Sequence, residues 1–359
     1  MNFPKKPSYS KSDLDRAGNS ICTLAPESAE YQAAIAMVDE WRASHQYPMQ
    51  TFNVTLRNHA RAIYKQAIVA RRLKRMVTIV DKISNRESAM NLSRMQDIGG
   101  VRAIMQSVDQ VYKLHAMYLE KGRFPHTLKR NEDYIREPKP SGYRGVHLVF
   151  KFNNKQGRQP DSRDWDGLLV EVQLRTELQH AWATSVEIVG TMLHENLKSS
   201  LAAPHNQEWL TFFQYMSSVI AKLEDQPVLE AHANWRAQML YHRANHLITK
   251  LEVIDKLQGW LTGMRWINEK GTSHYNILML DVERKVVQIK GFKKTNFARA
   301  NARLTQLERQ ALAAGTPQPV LVAAGDLKSL KRAYPNYALD SKRFLEIVQM
   351  VARTVEESV

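Results

Sequence analysis

The segment Leu169–Thr176 reads LVEVQLRT and decides the fold class that this sequence predicts. Its apolar residues alternate with polar ones, which is the period of a β-strand with one buried face, so Glu171 and Gln173 share the other face. The neighbouring elements are two further β-rich runs, Val101–Met105 and His147–Phe152, and a helical stretch at Val108–Lys121. Strands interleaved with helices predict an α+β core built on a mixed β-sheet flanked by helices.

Composition limits the kind of protein this chain is. Its 359 residues are 43% hydrophobic and 24% charged, which indicates a globular protein with room for two or three domains. Cys22 is the single cysteine, which excludes an intrachain disulfide and a cysteine-rich zinc site. The net charge of +15 favours polyanionic partners such as nucleotides or RNA. With no long apolar run and no hydrophobic signal region after Met1, we expect a cytoplasmic protein without membrane contact.

Four regions are predicted along the chain. An N-terminal helical extension covers residues 1–50, with residues up to about 25 polar and turn-rich and a helix at about 27–43. The core domain covers 51–200, and one helix at about 52–83 is expected to carry a cationic stripe. A helical connector covers 201–268. A small unit with ββαβα order covers 269–359, with strands at Tyr275–Val282, Lys285–Phe292 and Pro319–Ala324.

Two acidic residues are the candidates for chemistry. The chain lacks the GxxxxGKS/T and GxGxxG phosphate loops, the HExxH and GxSxG signatures and any His-Asp dipeptide, so most common active sites are excluded. Asp97 and Glu171 lie at the ends of β-rich runs in basic surroundings. A magnesium–triphosphate site needs this combination, because carboxylates hold the metal and cations hold the phosphates. The alternative is an ordinary salt bridge to Arg102 or Arg175.

A loop at Asp133–His147 offers a second set of candidates. Its prolines and Gly142 restrict the backbone, Lys139 and Arg144 supply positive charge, and Tyr143 offers a flat face on which a base could stack. The alternatives are a structural loop with a packed tyrosine and, for the cationic stripe, a solvated basic face.

Together these segments resemble the synthetase domain of the RelA/SpoT family, which transfers the pyrophosphate of ATP to the 3′-hydroxyl of an acceptor. The matching motifs lie in the family's order over about residues 50–190, at Arg72–Arg86, Asp97–Arg102, Asp133–His147 and Glu171–Trp182. Four linked motifs are far more specific than any one of them. The resemblance implies a nucleotidyltransferase-like sheet.

The resemblance also implies roles for individual residues. Asp97 and Glu171 would hold Mg²⁺, and Glu171 would also activate the acceptor hydroxyl. The implied ATP-binding residues are Arg72, Lys74, Arg75, Lys82 and Arg102. The implied acceptor-binding residues are Tyr143, which would stack on the base, with Lys139, Arg144, His147, Gln173 and Arg175.

Glu132 departs from the family pattern. Alarmone-making members commonly carry a lysine directly before Asp-Tyr-Ile, and a carboxylate there would repel a guanosine di- or triphosphate by about 1 kcal/mol or more at ~4 Å. The terminal adenosine of tRNA carries no such phosphates, so the resemblance points to the toxic branch that modifies the 3′-CCA end of tRNA. A small alarmone synthetase acting on GDP, GTP or an adenine nucleotide is the alternative. A catalytically dead sensor of nucleotide or RNA is the third hypothesis.

The C-terminal unit carries Tyr334-Pro335-Asn336-Tyr337 and resembles the pseudo-zinc-finger antitoxin domain of CapRel fused toxin–antitoxins. In that family a Tyr-x-x-Tyr motif enters the adenine pocket and blocks ATP, and a phage capsid protein releases it. The resemblance therefore implies that Tyr334 and Tyr337 are autoinhibitory, with a phage capsid protein as activating partner. A monomer is one expectation for the oligomeric state, which the sequence leaves open. Two tyrosines packing a turn are the alternative.

Overall fold

The computed structural model describes residues 3–74, 76–84, 90–120, 124–153, 164–192, 207–254, 257, 273–281, 286–314, 319–323 and 341–357. The helices are α1 (Lys11–Thr23), α2 (Ala29–Ser44), α3 (Gln46–Ile63), α4 (Met76–Ser84), α5 (Val108–Leu119), α6 (Glu177–Met192), α7 (Gln207–Leu223), α8 (Ala237–Lys250), α9 (Phe297–Ala314) and α10 (Ser341–Glu356). The strands are β1 (Ile68–Leu73), β2 (Gly99–Met105), β3 (Thr127–Asp133), β4 (Val146–Lys151), β5 (Leu169–Thr176), β6 (Tyr275–Asp281), β7 (Val286–Phe292) and β8 (Val320–Ala323).

The larger sheet has five strands in the order β1-β2-β5-β4-β3. β2 and β5 run parallel, while the other neighbours are antiparallel, which confirms the predicted mixed sheet. One face is apolar, with Val101, Val172 and Leu148 in a core that includes Phe52 and Leu56 of α3. The same alternation that buries this face sends the polar residues of each strand to the opposite one.

The predicted helix at about 52–83 is wrong. α3 ends at Ile63, β1 follows at Ile68–Leu73, and α4 begins at Met76. Residues 68–73 pair antiparallel with β2 along their whole length, and this ladder of backbone hydrogen bonds outweighs a local helical pattern. The cationic stripe is therefore divided between a strand, which carries Arg72, and a helix, which carries Lys82. Arg75 and Arg86 lie outside the described residues.

Two further elements were not expected from the sequence. α1 forms where a polar, turn-rich segment was predicted, because Ser10 and Asp13 build a reciprocal N-terminal cap and the apolar face of the helix packs against α2 and α4. β3 lacks alternating apolar residues and is an edge strand, so it has no buried face to leave a signal. α1 is thus stabilised by its cap and by packing on other helices, and β3 by its pairing with β4.

The C-terminal region contributes to two packing units. β6, β7 and β8 form a three-stranded sheet covered by α9, whose Ala300 and Leu304 contact Tyr275 and Ile277. α10 instead packs against α6 and α8, and its Phe344 stacks on Phe213 of α7 with ring centroids 5.7 Å apart. The last helix, expected within the unit at 269–359, thus completes the helical connector because its apolar face matches that bundle. Among the described helices, none is both long and apolar enough to span a bilayer.

A buried ion pair joins α9 to α2. Both guanidinium nitrogens of Arg42 contact Glu308, with NH2–Oε1 at 2.9 Å and NH1–Oε2 at 3.1 Å, and both side chains are about 5% exposed or less. Arg42 also donates from Nε to the backbone carbonyl of Lys74 at 2.8 Å and from NH1 to Asp39 at 3.0 Å. α9 packs on α4 as well, and β8 lies against β1. The C-terminal sheet and α9 therefore pack against α2, β1 and α4, and Lys74 lies between β1 and α4 in the chain.

The buried His45 predicts acid sensitivity of the fold. Burial lowers its pKa from 6.5 to about 4, so between these values the unfolded chain binds a proton that the folded chain does not. Stability that is present above pH 6.5 is lost as pH falls towards 4, by up to about 3 kcal/mol from this residue. Denaturant unfolding from pH 7 to 4.5 should show a shallower pH slope in His45→Gln than in the unaltered chain. Identical slopes would contradict the assignment.

Candidate active site

The polar face of the five-stranded sheet brings the predicted site residues together. Glu171 of β5 lies opposite Gly100 of β2 and Val149 of β4. Two residues further along β5, Gln173 lies opposite Arg102 of β2 and His147 of β4. The row of paired residues through Glu171 and the row through Gln173 both continue across the sheet to the edge strands β1 and β3. The members of the two rows that carry polar side chains are Arg72, Arg102, Arg130, Glu132, His147, Glu171 and Gln173.

A cavity of about 500 Å³ opens above this face. The predicted residues that line it are Arg72, Lys82, Asp97, Arg102, Lys139, Tyr143, His147, Glu171, Gln173 and Arg175. The cavity is also lined by residues for which no binding contact was predicted: Met90, Arg94, Gln96, Arg130, Glu132, Tyr134 and Val149. Arg130 could have been found from its place two residues before Glu132, because alternate residues of a strand share a face.

Asp97 is held by two lysines. Lys74 Nζ lies 2.7 Å from Oδ2 of Asp97, and Lys82 Nζ lies 3.3 Å from Oδ1. The chain brings them together because Leu73 of β1 pairs with Gly99 of β2, so the residues just beyond these strand ends are neighbours. Burial lowers the pKa of Lys74, and the charge of Asp97 opposes that shift. Lys74 therefore acts on the site indirectly, through its contact with the Asp97 carboxylate.

Glu171 is a buried carboxylate fixed from both sides. Nδ1 of His147 lies 2.7 Å from its Oε1, and Nε2 of Gln173 donates to its Oε2 at 2.6 Å. Burial alone would raise the pKa of Glu171, but the charge and hydrogen bond of His147, the Gln173 amide and the charge of Lys74 outweigh burial and lower it. Glu171 is therefore ionised, oriented and able to accept a hydrogen bond or coordinate a cation.

The residues present fit a magnesium ion bound together with substrate. In the described part of the chain there is no group of three His, Cys, Asp or Glu side chains that could hold a metal without other ligands. Mg²⁺ usually takes one or two protein carboxylates and completes its shell with water and substrate phosphates, which Asp97 and Glu171 can satisfy. Asp97 already attracts cations, since two lysine ammonium groups contact it.

The loop between β3 and β4 carries the aromatic residues of the site. Lys139 Nζ lies 4.4 Å from the ring centroid of Tyr134, which is half-buried and lines the cavity. Tyr143 also lines the cavity but is only 7% exposed, and its hydroxyl contacts His147. Base stacking by Tyr143 stays a prediction, and Tyr134 offers a second aromatic face at the same end.

Arg144 lies away from the cavity. Its Nε donates to Oγ of Ser217 on α7 at 3.0 Å, and its NH1 donates to the carbonyl of Ile135 at 3.1 Å. Burial lowers the pKa of this guanidinium to about 10. Arg144 therefore holds the loop against α7. These contacts do not support its predicted role in binding the acceptor.

Gly142 is predicted to be intolerant of a side chain. Its φ is +93°, and a Cβ would lie 2.9 Å from Cβ of Ser217 and 3.1 Å from Cζ2 of Trp182. We expect Gly142→Ala to lower the free energy of unfolding by about 2–3 kcal/mol, from backbone strain and overpacking together. Gly167→Ala is the matched control, because its φ is +90° but the nearest atoms, 3.6 and 3.7 Å away, are the far ends of lysine side chains. Equal losses in denaturant unfolding would show that packing against α7 contributes nothing.

Part of this chain is similar to known proteins. Residues 71–189 match the family profile described as the region found in RelA / SpoT proteins. GTP pyrophosphokinase YjbM of Bacillus subtilis is 33% identical over 119 residues, which is 32% of this chain and 52% of that protein. GTP pyrophosphokinase of Haemophilus influenzae is 28% identical over 157 residues, 44% of this chain and 19% of the relative. The chain thus spans about half the length of the first relative and about a fifth of the second.

Among solved structures, small alarmone synthetase 1 from Bacillus subtilis bound to its product pppGpp is similar at 24% identity. The match covers 50% of this chain and 89% of that one, with a TM-score of 0.41. A GTP pyrophosphokinase family protein from Streptococcus pneumoniae matches at 20% identity over 60% of this chain and 98% of its own, with a TM-score of 0.39.

Proposed function

We propose that this chain is an ATP-dependent pyrophosphokinase of the RelA/SpoT type. One observation carries the proposal: Asp97 and Glu171 line a single cavity together with Arg72, Lys82 and Arg102, all within or beside a region that matches this family. Two carboxylates among several cations suit a reaction in which a metal and positive side chains hold a triphosphate, while a nearby carboxylate accepts the proton of the attacking hydroxyl.

The proposed mechanism follows from the placement of these groups. Arg72, Lys82 and Arg102 bind the phosphates of ATP, and Lys82 exchanges its contact with Asp97 for a phosphate oxygen. Glu171 accepts the proton of the acceptor 3′-hydroxyl as its oxygen attacks the β-phosphorus in line. A new oxygen–phosphorus bond forms, the bond between the α,β-bridging oxygen and the β-phosphorus breaks, and AMP leaves. Mg²⁺, when bound with ATP, would be held by Asp97 with Glu171 and would neutralise phosphate charge.

For the acceptor we propose the 3′-CCA end of tRNA. Glu132 lines the cavity and disfavours an acceptor with terminal phosphates there, and the net charge of +15 suits a large polyanion. GDP or GTP is the second candidate, because Nε of Arg130 lies 2.5 Å from Oε1 of Glu132 and offsets part of its negative charge. The relatives reported above are GTP pyrophosphokinases, which also favours the second candidate.

Glu132 is predicted to set the acceptor preference. Glu132→Lys replaces a negative charge in the cavity by a positive one, so we expect kcat/KM for GDP or GTP, relative to tRNA, to rise at least about tenfold. The measurement is competition between labelled acceptors in one reaction. Glu137→Lys makes the same charge change on an exposed residue outside the cavity lining and serves as control. An unchanged ratio in Glu132→Lys would contradict this specificity role.

We also propose that the protein is a self-inhibited toxin of a phage-defence system. In this proposal Tyr334 and Tyr337 block the ATP site until a phage capsid protein binds the C-terminal unit. Both tyrosines lie outside the described residues. Docking of α9 on α4 and of β8 on β1 supports the proposal, because these contacts put the C-terminal sheet beside elements that carry the ATP-binding cations.

The test is to incubate the unaltered protein and Tyr337→Ala with γ-³²P-ATP, bulk tRNA, GDP and GTP, and to resolve the labelled products. Label in tRNA that appears only in Tyr337→Ala supports both the acceptor and the self-inhibition. Label in guanosine nucleotides from the unaltered protein identifies an alarmone synthetase instead. Toxicity that persists unchanged in Asp97→Ala, without transfer to any acceptor, would favour the catalytically dead sensor.

A further inference from the structure

A chain of hydrogen bonds runs behind Glu171 into the protein. Oε1 of Glu171 contacts Nδ1 of His147 at 2.7 Å, Nε2 of His147 contacts the Tyr143 hydroxyl at 2.5 Å, and NH2 of Arg175 contacts the same hydroxyl at 2.5 Å. Arg175 is 3% exposed and Tyr143 7%, while the side chains of His147 and Glu171 are each 14% exposed. All four side chains line the cavity, and Arg175 and Tyr143 form the more deeply buried end of the chain.

Two of these directions follow from the chemistry of the groups. A guanidinium only donates, so NH2 of Arg175 donates to the oxygen of Tyr143. Glu171 is an ionised carboxylate that can only accept, so Nδ1 of His147 carries a proton and donates to it. The Tyr143 hydroxyl and Nε2 of His147 are also within hydrogen-bond distance, and which of the two donates depends on whether Nε2 carries a proton.

We infer that His147 is a positioning residue, which holds the Glu171 carboxylate in the orientation that serves the acceptor hydroxyl and is itself held by Tyr143 and Arg175. The inference rests on the proposed pyrophosphokinase function. Gln173 supports the same carboxylate from its other oxygen at 2.6 Å. Both ring nitrogens of His147 are engaged inside the protein, which leaves neither for the acceptor contact that the family resemblance implied.

Two amide substitutions separate the two sides of the imidazole. In His147→Asn the amide nitrogen takes the place of Nδ1 and can still donate to Glu171, while the link to Tyr143 is lost. In His147→Gln the amide reaches the place of Nε2 and can still meet Tyr143, while the hydrogen bond to Glu171 is lost. We expect His147→Gln to lower kcat about 30-fold with KM for ATP and acceptor unchanged within about threefold, and His147→Asn to lose less than about fivefold.

Transfer of label from γ-³²P-ATP is measured in whichever of the unaltered and Tyr337→Ala backgrounds is more active, with tRNA and with GDP. Equal kcat in His147→Gln and His147→Asn, or a raised acceptor KM at unchanged kcat, would overturn the positioning role and indicate direct acceptor contact. Absence of transfer in both backgrounds with every acceptor would overturn the proposed function and this inference with it.

A second measurement does not need activity. In ¹⁵N-histidine-labelled protein, with the signal assigned by its loss in His147→Asn, Nδ1 of His147 should carry a proton. Tyr143→Phe should shift the Nε2 resonance, because the hydroxyl that contacts Nε2 is removed. An Nδ1 without a proton in the unaltered protein would overturn the hydrogen bond to Glu171 on which the inference depends.

Discussion

Replacement of Glu171 by Gln is expected to lower kcat for pyrophosphate transfer about 10³-fold. Gln has nearly the same shape, so packing is retained, and its amide oxygen can still accept from Gln173 while its NH2 group takes the place of the oxygen that faces His147. The amide cannot take up the proton of the attacking hydroxyl and is a weaker ligand for Mg²⁺. Single-turnover transfer from γ-³²P-ATP to tRNA and to GDP measures the effect.

Glu177→Gln is the matched control for this prediction. Glu177 follows β5 directly, at the start of α6, and its side chain is exposed and outside the cavity lining. It should keep activity within about twofold, because removal of a solvent-exposed charge seldom changes a site it does not line. Activity of Glu171→Gln within about threefold of the unaltered protein would exclude Glu171 as the residue that activates the acceptor.

Glu308→Gln is expected to lower the free energy of unfolding by about 3 kcal/mol. The substitution keeps the size of the side chain but leaves the buried Arg42 guanidinium with Asp39 as its one remaining carboxylate partner among the described contacts. The cost is that of a desolvated charge that has lost its bidentate partner. Denaturant unfolding followed by tryptophan fluorescence and by hydrogen exchange in α9 measures this loss.

An exposed ion pair provides the comparison for Glu308. Glu208 pairs with Lys250, and their side chains are 47% and 51% exposed, so Glu208→Gln should cost less than about 1 kcal/mol. If Glu308→Gln costs no more than Glu208→Gln, the contact between α9 and α2 does not hold the C-terminal sheet in place. In that case the contact between α9 and α2 would no longer support a regulatory role of the C-terminal sheet.

Local sequence predicted those elements whose signal lies within a few residues. The strands at 146–151 and 169–176 alternate apolar and polar residues, and α5 has the helical period, so each could be found from its own residues. β1 and β3 could not, because β1 has a helix-like pattern that only its pairing with β2 overrides, and β3 is a polar edge strand. The helix predicted at about 52–83 is wrong because the pairing of β1 with β2 cannot be seen in the local sequence.

The candidate site shows the same division. Asp97 and Glu171 were predicted as acidic residues in basic surroundings, and Arg102 and Gln173 from the resemblance to the RelA/SpoT family; all four line the cavity. Arg130 and Tyr134 required the structure, since β3 had to be aligned beside β4 before these side chains could line the cavity. Arg144 was assigned to the acceptor from its positive charge and the family resemblance, and only the structure showed that its guanidinium donates to Ser217 and Ile135.

By itself, the sequence determined the class of the core and singled out Asp97 and Glu171 as candidate carboxylates in basic surroundings, because residue type and short-range periodicity carry this information. The tertiary structure decided which cations meet Asp97, which imidazole nitrogen serves Glu171, and how Glu308 reaches Arg42, 266 residues away. These contacts join residues that are distant along the chain. Their geometry depends on strand register and helix packing, which no local pattern encodes.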